Sequence, residues 1–357
     1  IAAEHQELPY VMHWNGAVSY GFFGRLATEL KYMGHHGVNL PLQTFVTDPR
    51  VTATSSLPLF FTNPGQPTLD SFTLTQSSLA TASTPFTTAG FTNPILTTRP
   101  DGNSWYNAAA LKISETFTAG TQVFAQYTYQ NNRTDATGTP LDLAFGKRFE
   151  EALWNQKHRA TITPIVDVAS MLPRSTGIVR NIIANLSLMG TVTYARGGRI
   201  PIVSALDTGM NSSGLGTGVF FNPNGIAGLG SASTPLTNSS GQTVAFLATN
   251  PNAQFVSGGP GTFSVARPTI RLGDTRNVDL SIVKRFSVPE KAKIEVRGDA
   301  YNLIGNPQFT GLPISTLGTG LRAAPSFLIP DSPLFDNIRG TLSGNPRVIQ
   351  LALRVLF

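Results

Sequence analysis

Read two residues at a time, the chain resolves into stretches in which apolar and polar side chains take turns, the signature of strands that face two different environments. The last stretch, RVIQLALRVLF, sets Ile349, Leu351, Leu353, Val355 and Phe357 against Gln350, Ala352 and Arg354. RNVDLSIVKRF sets Val278, Leu280, Ile282 and Phe286 against Asn277, Asp279, Ser281 and Arg285, with Lys284 the one intruder on the apolar side, near a strand end from which it can snorkel. GTQVFAQYTYQNN alternates Val123, Ala125, Tyr127 and Tyr129 with Gln122, Phe124, Gln126, Thr128 and Gln130. ANLSLMGTVTYARGG alternates Leu186, Leu188, Val192 and Tyr194 with Asn185, Ser187, Thr191 and Thr193.

AKIEVRGDAYNL makes a fifth segment, and weaker alternation predicts four more, at Tyr10 to Tyr20, Arg25 to Met33, Trp105 to Phe117 and Arg159 to Val168. Pro164 is awkward inside the last of these, because it has no N–H to give a paired neighbour. The nine segments run about 9 to 13 residues each, the length a tilted strand needs to cross a bilayer.

Their connections also take turns. Short turns at GFFG (Gly21 to Gly24), TAG (Thr118 to Gly120) and SVPEKA (Ser287 to Ala292), with a medium one from Ser170 to Ile183, alternate with long segments. The long ones, near residues 34–103, 132–157, 197–274 and 305–345, are rich in Gly, Ser, Thr, Asn and Pro. Sorting loops by side in this way is how outer-membrane barrels are organised, with the short turns in the periplasm. Aromatics follow the same sorting: Phe22, Phe23, Phe117, Phe286 and Phe357 fall at the periplasmic ends, and Tyr32, Trp105, Tyr129, Tyr194 and Tyr301 toward the outer ends, as two interfacial girdles require.

Composition narrows the classes further. Only 13% of the 357 residues are charged, against about 25% in an ordinary soluble domain. The net charge of +6 comes from scattered Lys and Arg, without the basic patch that nucleic-acid binding needs. There is no Cys, which fits an envelope compartment without disulfides and many cytosolic proteins equally. No apolar run reaches the roughly 20 residues of a membrane helix, so any crossing must be β. The expected fold is all-β, a transmembrane antiparallel β-barrel.

In Lys293, Glu295, Arg297 and Asp299, four charges of alternating sign share one face of a strand, opposite Ile294, Val296, Gly298 and Ala300. Each charge would cost about 2 to 4 kcal/mol at the middle of a bilayer, so the row belongs on a hydrated lumen, where Asn277 and Asp279 can join it. These six residues are the candidate lumen-facing contacts. The Arg-Gly-Asp within the row is then a product of alternation and not a displayed adhesion loop.

RNVDLSIVKRFSVPEKAKIEVRGDAYNLIGNPQFTG resembles the penultimate hairpin of TonB-dependent outer-membrane transporters, in its N-x-D-L-S, its basic-aromatic strand end and its acidic-aromatic-Asn-Leu close. PRVIQLALRVLF resembles their terminal strand, with Phe357 at the position of the aromatic insertion signal. PYVMHWNGAVSY, LATELKYMGHHGVNLPLQ, FAQYTY, NQKHRATIT and MGTVTYARGGRIP resemble successive strands of the Oar-like subgroup. The resemblance covers nearly all strands and few of the loops.

It implies a Gram-negative outer-membrane location and TonB-coupled active uptake of a scarce or large solute. It also implies, as partners, outer-membrane lipid, the barrel-assembly machinery, and a plug domain and TonB energy complex acting through a part N-terminal to Ile1. The plug, the TonB box and the early strands have no counterpart in residues 1–357, and such barrels have about 22 strands, so the chain is expected to be a partial barrel domain. Nine strands alone would leave two unpaired edges in lipid. A passive porin without a plug, and a surface β adhesin using the Arg-Gly-Asp, are the alternatives.

No catalytic, cofactor-binding or metal-binding set emerges. His35 and His36 are adjacent and point apart on a strand, Glu150 and Glu151 likewise, and no further ligands have suitable spacing. GLGTG (Gly214 to Gly218) and GGPGTF (Gly258 to Phe263) do not link a strand to a helix as a phosphate loop must, and read as mobile outer loop. In TLTQSSLATASTPFTTAGFTNP, Phe72, Phe86 and Phe91 argue against a plain solvated linker. No nucleic-acid partner and no enzymatic activity are expected, and the sequence does not specify the substrate.

Overall fold

The computed structural model describes residues 7–22, 25–45, 54–82, 85–91, 95–118, 120–135, 150–152, 155–204, 218–264, 266–288, 292–309, 326–340 and 343–356. Nine long strands form one antiparallel sheet in strict chain order. They are β1 (Tyr10–Phe22), β2 (Leu26–Phe45), β3 (Leu96–Thr118), β4 (Thr121–Thr134), β5 (His158–Asp167), β6 (Leu186–Ala195), β7 (Thr275–Val288), β8 (Ala292–Tyr301) and β9 (Val348–Leu356). A two-residue strand, Glu150–Glu151, adds to the outer end of β4.

All nine segments expected from alternation are strands. The largest departure is at β2 and β3, which run 20 and 23 residues, about twice what a bilayer crossing takes. They leave the membrane zone as a paired stem, broken by register shifts between Gly37 and Pro41, where Asn39 takes a left-handed conformation (φ 56°). Pro164 pairs with Val123 on the β4 side. On the other side the ladder skips Thr163 and Pro164 and resumes without a change of register. The missing N–H thus costs a local gap and no slip.

Register places like residues beside like across the sheet. On one face Ala125, Ile162, Val192 and Val278 lie in a row, and so do Leu188, Ile282, Gly298 and Leu351. On the other lie Gln126, Thr161, Thr193 and Asn277. A one-residue slip would exchange the two faces throughout, which is why the pairing is so strongly specified.

The long outer segments are where the sequence reading needs correction. Residues 54–82, 85–91, 199–204, 218–264 and 326–340 were expected to be loop, and they form a folded cap. Ser233–Thr237, Thr243–Ala248 and Leu59–Phe60 make one small sheet, and Val219–Phe221, Ala253–Ser257 and Ile226–Ser231 another. Leu57, Leu79, Phe246 and Phe263 pack as one core cluster, and Leu69, Val244 and Ala245 as a second, against Phe60 and Phe72. Ile200, Val203, Phe327 and Leu328 tie in the third segment.

GGPGTF lies inside this cap: a side chain at Gly259 would collide with the Phe246 ring, so glycine serves close packing there and not mobility. GLGTG lies outside the described residues except for Gly218. Of the three phenylalanines singled out, Phe72 joins the cap core, while Phe91 is 51% exposed.

Lys284 also departs from expectation. Its Nζ does not stretch freely toward water but donates to the carbonyls of Asn181 (3.0 Å), Ile182 (2.9 Å) and Ala184 at the end of the helix Gly177–Ile183. The last carbonyls of a helix have no partners within it, and a lysine satisfies them.

Candidate functional site

The polar face of the sheet carries its chemistry, and pairing sets the geometry. β7 and β8 place Arg285 opposite Glu295, and their side chains form an ion pair with Nε to Oε2 at 2.9 Å. Two residues up β8, the Arg297 Nε donates to both carboxylate oxygens of Asp299 at 2.9 Å. The Arg-Gly-Asp is therefore closed on itself in the middle of a strand, with Asp299 only 7% exposed. An integrin-type display needs the two charges splayed from a turn, so the adhesin alternative fails on this geometry. Lys293 stands on the same face at the other end of the strand and is exposed.

Asn277 and Asp279 do something the charge row did not foretell. Asn277 Nδ2 donates to Asp279 Oδ2 (2.8 Å), and Asp279 Oδ1 accepts the backbone N–H of Asn302 (2.8 Å). Asn302, 1% exposed and left-handed at φ 48°, donates from Nδ2 to the carbonyls of Asn306 (3.0 Å) and Asn345 (2.6 Å) and accepts the Asn306 N–H. Asn345 Nδ2 returns to Asn277 Oδ1 at 3.1 Å. The N-x-D on β7 and the Y-N-L at the end of β8 thus make one clasp at the outer end, holding the exit of β8 to the entry of β9. Asparagine suits it because a short amide side chain tolerates positive φ and satisfies backbone groups on both sides. Of the six predicted residues, four form the charge row and two belong to this clasp.

A second part of the polar face was missed by the sequence reading. Between β1 and β5 lies a concavity of about 760 Å³, lined by Glu29, Lys112, Gln126, Gln130, Arg159 and Thr161 among others. Lys112 Nζ lies 3.3 Å from Glu29 Oε1 across β2 and β3. Both charges sit at polar-face positions of the alternation, but in segments of weak pattern. At its outer rim Tyr106 Oη donates to Gln130 Oε1 (3.1 Å), and Glu151 gathers Lys157 (3.0 Å), Arg199 (3.4 Å) and Asn155 Nδ2 (3.2 Å). Burial works to raise the Glu151 pKa, but the bonds from Lys157 and Asn155 and the charges of Lys157 and Arg199 hold it below the ordinary value of 4.5.

His35 stacks on Tyr106 (4.9 Å) and His36 on Trp105 (3.7 Å), on opposite faces of β2. Among the described residues no three His, Cys, Asp or Glu side chains come together as a metal set. Glu150 and Glu151 diverge as expected, Glu150 toward Arg267 (3.6 Å). The aromatic girdle holds for Phe22, Phe117, Phe286, Tyr32, Trp105 and Tyr129, each 40% or more exposed. Tyr301 lies at the outer end of β8 on the same face as Asp299 and Arg297, as the alternation of that strand requires, and so stands apart from the girdle on the apolar face. Phe23 and Phe357 lie outside the described residues.

The apolar face is the one a bilayer accepts: Leu351, Leu353 and Ile349 are 82%, 69% and 69% exposed in an unbroken band with Ile282 and Val296. No helix among the described residues is long and apolar enough to cross a membrane.

The family model of the outer membrane beta barrel domain matches residues 2–350. The chain is similar in structure to the outer membrane transporter YddB from Escherichia coli (TM-score 0.43, 7% identity, covering 98% of this chain and 32% of that one). It is also similar to the ferripyoverdine receptor of the outer membrane of Pseudomonas aeruginosa (TM-score 0.40, 12% identity, 96% and 26%). The chain spans about a quarter to a third of the length of these structures. No curated protein matches the sequence. With the match over residues 2–350 and a sheet sorted into apolar and polar faces, the chain belongs to the outer membrane beta barrel domain family and has its place in the outer membrane.

Proposed function

We propose that residues 1–357 are the C-terminal part of the barrel of a TonB-dependent, Oar-like transporter that takes a scarce or large solute across the outer membrane. A plug domain and TonB contact belong to a part of the protein N-terminal to Ile1. The observation that carries this reading is the polar face. It runs the height of the sheet, with charge pairs at Arg285–Glu295 and Arg297–Asp299 and an open concavity beside Glu29 and Lys112. A wall of that kind suits a hydrated lumen in which solute and plug exchange hydrogen bonds, and the hairpin from Arg276 to Gly311 supports the family.

In this reading Lys293, Glu295, Arg297 and Asp299 offer charge to plug or solute, while Asn277 and Asp279 act indirectly, by fixing the outer ends of β7 to β9. Phe357 is the residue the barrel-assembly machinery reads. No cofactor or catalytic step is invoked.

Full-length protein in a planar bilayer tests the reading. A plugged transporter shows almost no ion conductance and binds the purified C-terminal domain of TonB in a pull-down. Steady conductance without TonB binding would establish the passive porin instead.

A further inference from the structure

The connection between β5 and β6 is a short turn by its place in the chain, yet it folds into two helices, Val168–Met171 and Gly177–Ile183. Asp167 caps the first, accepting the N–H groups of Ala169 (3.0 Å) and Ser170 (3.4 Å). Lys284 caps the end of the second. Ile183 turns inward and is buried. Met171, Leu172, Ile178, Val179 and Ile182 turn outward and are 51% to 78% exposed, an apolar cluster that water would not favour.

Lys284 decides where this cluster sits. Register aligns it with Leu186 and Val296, and through Val296 with Leu353, on the apolar face of the sheet. The second helix is therefore fastened on the side of the wall that lipid covers, where neither lumen nor plug can reach it. Arg174 and Arg180 are exposed on the same connection, and from Val168 to Leu186 there is no Asp or Glu. Arg180 also donates to the Ala169 carbonyl (3.4 Å), and Asp167, the one carboxylate adjoining the connection, is turned into the cap of the first helix. Apolar side chains flanked by two exposed arginines, continuous with a lipid-facing band, are the composition of a segment lying in a membrane interface.

We propose that residues 168–184 form an interfacial foot. Met171, Leu172, Ile178, Val179 and Ile182 enter the inner, phospholipid leaflet of the outer membrane, while Arg174 and Arg180 engage anionic headgroups. Lys284 is its positioning residue, holding the foot at leaflet depth through the helix end. The foot fixes the height of the barrel wall in the membrane and draws anionic phospholipid to it.

The absence of Cys from these 357 residues makes the test direct. Full-length protein carrying Ile182→Cys or Ile178→Cys is labelled with an environment-sensitive fluorophore and reconstituted in phosphatidylcholine vesicles. These contain a small fraction of brominated phosphatidylglycerol or, separately, of brominated phosphatidylcholine, with iodide as the aqueous quencher. Ile282→Cys on the lipid band and Ser240→Cys in the cap calibrate full lipid and full water exposure, so a failed reconstitution is not mistaken for a failed foot.

The expected result is lipid quenching at Ile178 and Ile182 and little quenching by iodide. Brominated phosphatidylglycerol should quench several-fold more strongly than brominated phosphatidylcholine, since a basic side chain at the surface enriches anionic lipid by about fivefold. Arg174→Gln with Arg180→Gln should abolish that preference and keep the quenching. Lys284→Met should reduce lipid quenching at Ile182 while Ile282 stays quenched. Iodide quenching at Ile182 equal to that at Ser240, or equal quenching by the two brominated lipids in the unaltered arginine background, would overturn the proposal.

Discussion

In the outer cap Val244 and Val256 are fully enclosed and Phe246 is 4% exposed, whereas in the spanning sheet Leu351 is 82% exposed and Leu353 69%. The same chain hides its apolar groups from water in two ways. The cap gathers them into cores of ordinary protein packing, built from short pieces that are far apart in sequence. The sheet gathers none, because its apolar face is completed by lipid and its polar face by water. Val283, Ala108 and Ala110 are among the few buried apolar residues in it. The difference teaches that a chain of low charge and near-zero mean hydropathy can hold two regions of opposite construction, and each should break by a different kind of substitution.

The largest effect belongs to the cap. Phe246→Ala removes a ring that packs on Leu57, Leu79 and Phe263, and should cost about 3 to 5 kcal/mol. Limited proteolysis should then open the cap, while the sheet keeps its resistance to denaturation by SDS without heating. Loss of both together would mean that the two regions do not differ as described.

The converse substitution belongs to the sheet. Ile282→Arg places a charge midway along β7 on the apolar face, at about 2 to 4 kcal/mol, and should impair membrane assembly. The same change at Thr193 on the polar face should be tolerated, and equal sensitivity at the two positions would remove the distinction between the faces.

Asn302 holds together the outer ends of β7, β8 and β9. Asn302→Ala strands the carbonyls of Asn306 and Asn345 and strains a left-handed backbone, for about 1 to 3 kcal/mol. Hydrogen exchange should rise at the outer ends of β8 and β9 and stay unchanged at their periplasmic ends.

The smallest effect is the pH response of the rim. The folded-state pKa of Glu151 is depressed below 4.5, so its contribution is complete above that value and is lost as pH falls through the lower, folded one. Its size is about 1 kcal/mol or less, as for other ion pairs near a surface. In Glu151→Gln, the acid-side loss of protease resistance near β4 and β5 should flatten.

The spanning sheet was legible in the sequence because a period of two is imposed by two solvents along every strand. All nine strands follow from it, as does the face that carries Lys293, Glu295, Arg297 and Asp299. The stem of β2 and β3 was not legible, since beyond the bilayer nothing forces Leu40 to Phe45 or Leu96 to Gly102 to alternate. The cap was hidden for a similar reason. Leu57, Leu79, Phe246 and Phe263 are single apolar residues in polar surroundings, and only their meeting in space makes them a core. The clasp was half visible. Its residues lie in the motif that marks the hairpin, but the bonds from Asn302 to Asn306 and Asn345 depend on a backbone conformation that no periodicity reports. Lys284 was noticed as an intruder, and its purpose became clear only with the helix it caps.

The most direct test of the account is a nitroxide scan of β4, from Val123 to Thr128, in the full-length protein in outer membranes. Collision with oxygen, which concentrates in lipid, should peak at Val123, Ala125 and Tyr127. Collision with a water-soluble nickel chelate should peak at Phe124, Gln126 and Thr128, a period of two in opposite phase. Profiles that rise and fall together, or that show no period of two, would contradict a strand with lipid on one side and water on the other.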